Sequence, residues 1–357
     1  MSNITAQKNF KLYVNKDNRS NYNLLEGLMP DKIKLVDVKE AMDTDDVVVM
    51  VDSLFHSNLD ENIIKERYQN SKPIKILIDY AYETGLSEKD FDKKIVDVCK
   101  TGVAPSDILW ALNRSANSKW MAKHEDKIAL IDLFAISATI RHAIYLQPAS
   151  NVKVSDRPLK ANLLLGKVNK PSRKKIIESF FNHSLKQDTI FSFLDEIESD
   201  STDLVNFVKS HQGPIDNAAT EYTNEGISSQ GWSTKTTVYD NSSVSFICET
   251  HETNPCYFLT EKTYRPILNR QPFVIRAAFD ATKYLNKLGF MTFSKYINEE
   301  FTQDSEELVD RCHKLLGAVA KHPEEIEVIV NHNYTTLVEL AKLDIARLNA
   351  TIFNNID

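Results

Sequence analysis

In the first half of the chain, short runs of aliphatic residues alternate with stretches whose apolar positions recur every three or four residues. Residues 47–51 are an apolar run that ends on Asp52, and 74–78, apolar but for Lys75, are another that ends on Asp79. Runs of that length suit strands buried on both faces in a parallel sheet. Residues 10–14 are a third strand candidate. Helical spacing covers 59–68, 88–98 and a long stretch over 127–146. The apolar centre of that stretch, 128–140, is interrupted by Asp132. It is too short to span a bilayer and reads as a buried helix.

The second half repeats the alternation. Strands are predicted over 161–165, 189–193, 244–248 and 272–275. Helices are predicted from Ser172 to 181, over 260–268 with Thr260 as N-cap, and over 305–321. Residues 205–243 are polar and irregular, and 324–353 return to helical spacing. A polar stretch at 149–160, with Pro148 and Pro158 near its ends, reads as a linker. The pattern predicts two α/β units in tandem, 1–150 and 151–323, followed by a helical tail, 324–357.

Composition adds bounds. The 357 residues are 42% hydrophobic and 26% charged, enough apolar material for two cores, with a net charge of −7. The acidic balance argues against a protein that coats nucleic acid by charge alone. The four cysteines form no C-x-x-C pair, so a zinc ribbon has no support and reduced thiols are expected. Residues 1–10 lack an apolar run, so no signal peptide is expected and a cytoplasmic setting with no membrane partner is predicted. Dinucleotide-binding, P-loop, H-E-x-x-H and G-x-S-x-G fingerprints are missing. Asp43-Thr44-Asp45 is a D-x-D, but it precedes a strand instead of ending one and reads as a turn.

Three constellations carry chemistry. Ligands in open α/β sheets bind beyond the carboxyl ends of strands. The first constellation is a strand, loop and helix start over 163–175, within a run from Lys153 to Lys175 holding eight Lys or Arg residues and one acid, Asp156. Lys167 and Arg173 at a helix N-terminus make a diphosphate cradle; the alternative is a solvated basic helix start. The second is Glu249 followed by Thr260-Glu261-Lys262. An acid in a first helical turn can accept ribose hydroxyls and the lysine beside it can neutralise phosphate, or the segment is a capped helix with a surface ion pair. The third is 74–85, where Asp79 ends a strand and Glu83 follows between Tyr82 and Thr84. Either carboxylate at a strand end can act as a general base; the alternative is a turn cap and a solvated side chain.

The segment Glu249-Thr250, Thr260-Glu261-Lys262-Thr263, Arg265-Pro266, Gln271-Pro272-Phe273 and 285–293 resembles the donor-binding region of the α1,3-fucosyltransferase family. It is closer still to virus-encoded relatives of that family. The resemblance covers about 160–320 and is specific over 244–293. It departs from the family where Cys248-Glu249-Thr250 replaces Glu-Asn-Ser and where Arg276-Ala277 follows the Pro-Phe-Val-Ile strand. It implies two Rossmann-like domains in the GT-B arrangement, an interdomain cleft, the acceptor on the 1–150 side and a nucleotide-sugar donor on the 151–323 side. By the resemblance, Glu261 contacts the donor ribose, and Lys262 and Arg173 the diphosphate. The implied activity is metal-independent, inverting glycosyl transfer with no cofactor beyond the nucleotide sugar. The viral relatives imply a host-cytoplasmic setting and leave a glycan or a hydroxymethylated DNA base open as acceptor, with Arg114, Lys119 and Lys123 available to follow phosphates. A non-catalytic nucleotide-sugar-binding module is the rival from another class.

Overall fold

The computed structural model describes residues 10–13, 33–53, 59–80, 88–113, 129–133, 150–212, 237–249 and 259–354. The chain is a mixed α/β protein made of two compact units, one of Met1–Arg141 with Ala341–Asp357 and the other of His142–Leu340. No described helix is long and apolar enough to cross a membrane.

The first unit carries a six-stranded sheet, β1 (Phe10–Tyr13), β2 (Ile33–Val36), β3 (Val48–Ser53), β4 (Ile74–Tyr80), β5 (Ile108–Asn113) and β6 (Ala129–Leu133). All neighbours are parallel, in the order β2-β1-β3-β4-β5-β6. Helices α1 (Val38–Asp43), α2 (Glu61–Gln69) and α3 (Glu88–Lys100) lie between strands. Val48, Met50, Ile76, Ile78, Ile108 and Trp110 form a core with Ile63, Ile64 and Phe91 of the helices. Trp110 meets Phe91 edge-on at 5.6 Å. The run at 128–140 begins as strand β6, not as a helix. Five residues, four of them apolar, have no periodicity that separates strand from helix, and pairing with β5 decides it. Strands β2 and β5 were not among the strands predicted from the pattern. The D-x-D lies at the end of α1, with Thr44 as C-cap, on the amino side of β3.

Arg67 locks the amino edge of this sheet. Its side chain is wholly buried. The guanidinium donates to the carbonyls of Ala41 (2.5 Å), Thr44 (3.1 Å), Asp46 (2.6 Å) and Pro73 (2.6 Å). One planar fork therefore joins the end of α1 to the entries of β3 and β4. Burial lowers its pKa, with Asp45 and Asp46 opposing the shift.

The second unit carries a four-stranded parallel sheet of β7 (Ala161–Leu165), β8 (Thr189–Phe193), β9 (Val244–Cys248) and β10 (Phe273–Arg276). Its order is β10-β9-β7-β8. The helices are α4 (Pro171–Asn182), α5 (Thr202–Ser210), α6 (Thr237–Asp240), α7 (Glu261–Leu268), α8 (Ala281–Lys287), α9 (Ser305–Lys321) and the tail α10 (Pro323–Asn354). Phe180 of α4 packs edge-on to Phe246 (5.1 Å) and Phe191 (5.8 Å), which closes one face of the sheet. The stretch at 150–160 is no loose linker. Buried Arg157 donates to the carbonyls of Val152 (2.7 Å), Asn269 (2.7 Å) and Arg270 (3.3 Å), fastening the segment to the entry of β10.

Replacing Arg67 with Met is expected to lower the stability of the first unit by roughly 3–5 kcal/mol, the scale for removing one partner of a buried charged interaction. A urea titration followed by tryptophan fluorescence reads the effect; an unchanged midpoint contradicts the assigned role.

Candidate functional site

In the second sheet the chain passes from β7 to β8 on one side and then to β9 on the other. Connections leave β7 and β9 in opposite directions, so a crevice opens beyond their carboxyl ends. A cavity of about 310 Å³ runs from there along the sheet face, as far as Asn162 of β7 and Ser245 of β9. Leu164, Leu165, Gly166, Leu194, Ile247 and Cys248 contribute from the strand ends, and Lys262, Arg265 and Pro266 from α7. Asn162, Ser192, Ser245 and Tyr239 add polar groups along the sheet face. Among the described lining residues Lys262 and Arg265 are charged and no carboxylate occurs, so the cavity favours an anion.

Glu249, immediately beyond β9, sets the position of α7. It is 4% exposed. Its carboxylate accepts from the backbone N–H of Thr260 (3.0 Å), the hydroxyl of Thr260 (2.6 Å) and the hydroxyl of Thr263 (2.5 Å). Thr260 is the N-cap and accepts from the N–H of Lys262 at 3.3 Å. The carboxylate thus holds the helix terminus in place. Glu261 is the first residue of α7.

Gly166 and Lys167 form the loop between β7 and α4. Lys170 is the N-cap of α4 and makes no side-chain cap bond, with Pro171 at the first helical position. The cap therefore falls two residues before Ser172, because proline's fixed φ suits the first turn. Arg173 is 3% exposed and donates to the carbonyl of Lys167 at 2.8 Å. It shapes the loop, while the Lys167 side chain is exposed.

Beneath the cavity lies a buried polar network. Asn162 Nδ2 lies 2.8 Å from Ser242 Oγ and 3.0 Å from both Ser245 Oγ and Gln271 Oε1. Gln271 Nε2 donates to the carbonyls of Ser242 (2.6 Å) and Tyr239 (3.3 Å). The Ser245 hydroxyl donates to Gln271 Oε1. All four side chains are at most 2% exposed. Tying them together fixes β7, β9 and the entry of β10 against one another.

The sequence pattern brought Lys262, Thr260 and Glu249 to one helix start and Lys167 and Arg173 to one loop. Arg265, Asn162, Ser245 and Gln271 were not singled out as site residues. Arg265 stands three residues after Lys262, a spacing that puts both on one helix face and was readable. Asp79 is the sixth residue of β4, in register with Ser53 and Ala111. Glu83, Arg114, Lys119 and Lys123 lie outside the described residues. Much of the basic run serves structure. Arg157 binds carbonyls, Arg173 binds the Lys167 carbonyl, and Lys174 donates to the Glu198 carbonyl at 2.8 Å. His313 packs edge-on against His183 at 5.2 Å.

No protein-family model and no curated protein matches the chain. Among solved structures, the crystal structure of α,α-trehalose 6-phosphate synthase from Burkholderia multivorans is similar, at 11% identity and a TM-score of 0.43. The similarity covers 96% of this chain and 77% of that one.

Substituting Glu249 with Gln replaces an acceptor oxygen by a donor facing Thr260 and Thr263. The expected loss is about 1.5–3 kcal/mol, the scale for hydrogen bonds to a charged group. Chemical denaturation of the variant measures it. Wild-type stability would show that α7 is held by other contacts.

Proposed function

We propose that the chain is a glycosyltransferase that takes a sugar from a nucleoside-diphosphate donor bound in the cavity of the second unit. The observation that carries the reading is the cavity's place at the β7/β9 reversal, with two cations and no carboxylate among its described lining residues. The resemblance of residues 244–293 to the fucosyltransferase family and its viral relatives supports the same assignment.

In this reading Lys262 and Arg265 neutralise the diphosphate, with Lys167 reaching it from the facing loop. Arg173 holds that loop and Glu249 holds α7, so the cations are fixed before the ligand arrives. Glu261 contacts the donor ribose. The acceptor oxygen attacks the anomeric carbon as the bond to the β-phosphate oxygen breaks, and the nucleoside diphosphate leaves with the electron pair. The acceptor's hydroxyl proton passes to a general base, for which the sequence offers the carboxylates of Asp79 and Glu83. Displacement in one step inverts the anomeric centre. The cations supply the charge stabilisation, and the reaction proceeds without a metal. The acceptor is a hydroxyl compound, with a glycan and a hydroxymethylated DNA base as its two candidate classes.

Lys262→Ala is expected to weaken nucleoside-diphosphate binding by about 10–150-fold, from roughly 1.5–3 kcal/mol for a charge-assisted contact. Calorimetry reads the affinity, and sugar release from the donor in the presence of a chelator reads the chemistry. Equal affinity in the variant places the donor elsewhere. Tight binding with neither transfer nor hydrolysis for any donor identifies a binding module instead of an enzyme.

A further inference from the structure

The amide orientation of Asn162 is set by groups that can act in only one sense. Gln271 Nε2 faces two backbone carbonyls, of Ser242 and Tyr239, which only accept. Gln271 therefore turns its oxygen toward Asn162 and Ser245. The hydroxyl of Ser242 gives its one proton to the Val238 carbonyl at 2.7 Å, so it too can only accept from Asn162. Both constraints require the nitrogen of the Asn162 amide to face the network. The Asn162 oxygen then accepts no hydrogen bond from any described residue. The side chain is 2% exposed and lines the cavity.

An acceptor held this rigidly, with its own proton donors already committed, selects for a ligand group that carries an N–H or O–H. We infer that Asn162 reads the hydrogen-bond-donating edge of the donor's nucleobase and is a specificity-determining residue of the cavity; this rests on the nucleotide-sugar reading above. Asn162 stands four residues before Gly166 on β7, about 13 Å along a strand. Lys262, at the start of α7 beside the carboxyl end of β9, takes the anionic end of the ligand. Leu164 and Ile247, on the sheet face between these ends, offer apolar contact to a flat ring. A ligand laid along the cavity has its charge at the strand ends and its base at Asn162.

The test is calorimetry with UDP, GDP, ADP, CDP and inorganic pyrophosphate. Wild type is expected to bind at least one nucleotide about tenfold or more tighter than pyrophosphate. An analogue of that nucleotide whose base donor carries no hydrogen, N-methylated at a ring N–H or N,N-dimethylated at an exocyclic amine, should lose the advantage on the unaltered protein. Asn162→Ala should lose it too, with pyrophosphate affinity unchanged, whereas Lys262→Ala lowers both. If the methylated analogue binds as well as its parent, or Asn162→Ala keeps the base preference, the inference fails while the donor site stands. If Asn162→Ala weakens only the intact nucleotide sugar, the residue reads the sugar and the inference is equally overturned. If wild type binds none of the nucleotides, the donor reading fails and the assignment of Asn162 falls with it.

Discussion

Gln271 spends both ends of its amide on fixing the second sheet. Its nitrogen holds the carbonyls of Tyr239 and Ser242, and its oxygen accepts from Asn162 of β7 and Ser245 of β9. It stands two residues before β10. Three strands are thereby joined near their amino ends by one buried side chain. Each polar atom brought into that interior needs a partner, since an unmet one costs about 1–3 kcal/mol. The network meets that demand and leaves one acceptor over, on Asn162.

Both units follow the same division of labour. A buried guanidinium clamps the amino edge of each sheet, Arg67 at the entries of β3 and β4 and Arg157 at the entry of β10. Backbone carbonyls at those edges would otherwise be buried without donors. Rigidity at the amino edge leaves the carboxyl edge of each sheet available for ligands. In the second unit that edge gathers Lys262 and Arg265, and the groups that hold their helix, Glu249 and Thr260, are themselves buried. A site whose cations are held by buried neighbours needs little rearrangement when an anion binds.

The alternation of aliphatic runs and helical spacing was enough to read two α/β units, because parallel strands buried on both faces are rich in consecutive apolar residues. It failed at 129–133, where a run that short fits either element until a neighbouring strand pairs with it. The cap at Thr260 and the cations that follow were legible, since capping is local chemistry. Arg173 read as half of a diphosphate cradle and Arg157 as part of the basic run around it, and the structure has both donating to carbonyls. Long-range partners decide that, and spacing does not encode them. The same limit hid Asn162, whose partners lie 80 to 109 residues away.

Hydrogen–deuterium exchange, with and without a saturating nucleoside diphosphate, addresses the donor site most directly. Slowed exchange is expected in the loop and first turn at 166–174 and in the first turn of α7 at 260–264, centred on the β7/β9 reversal. Protection confined to the strand ends of the first unit, or none at either segment with ligand demonstrably bound, would contradict it.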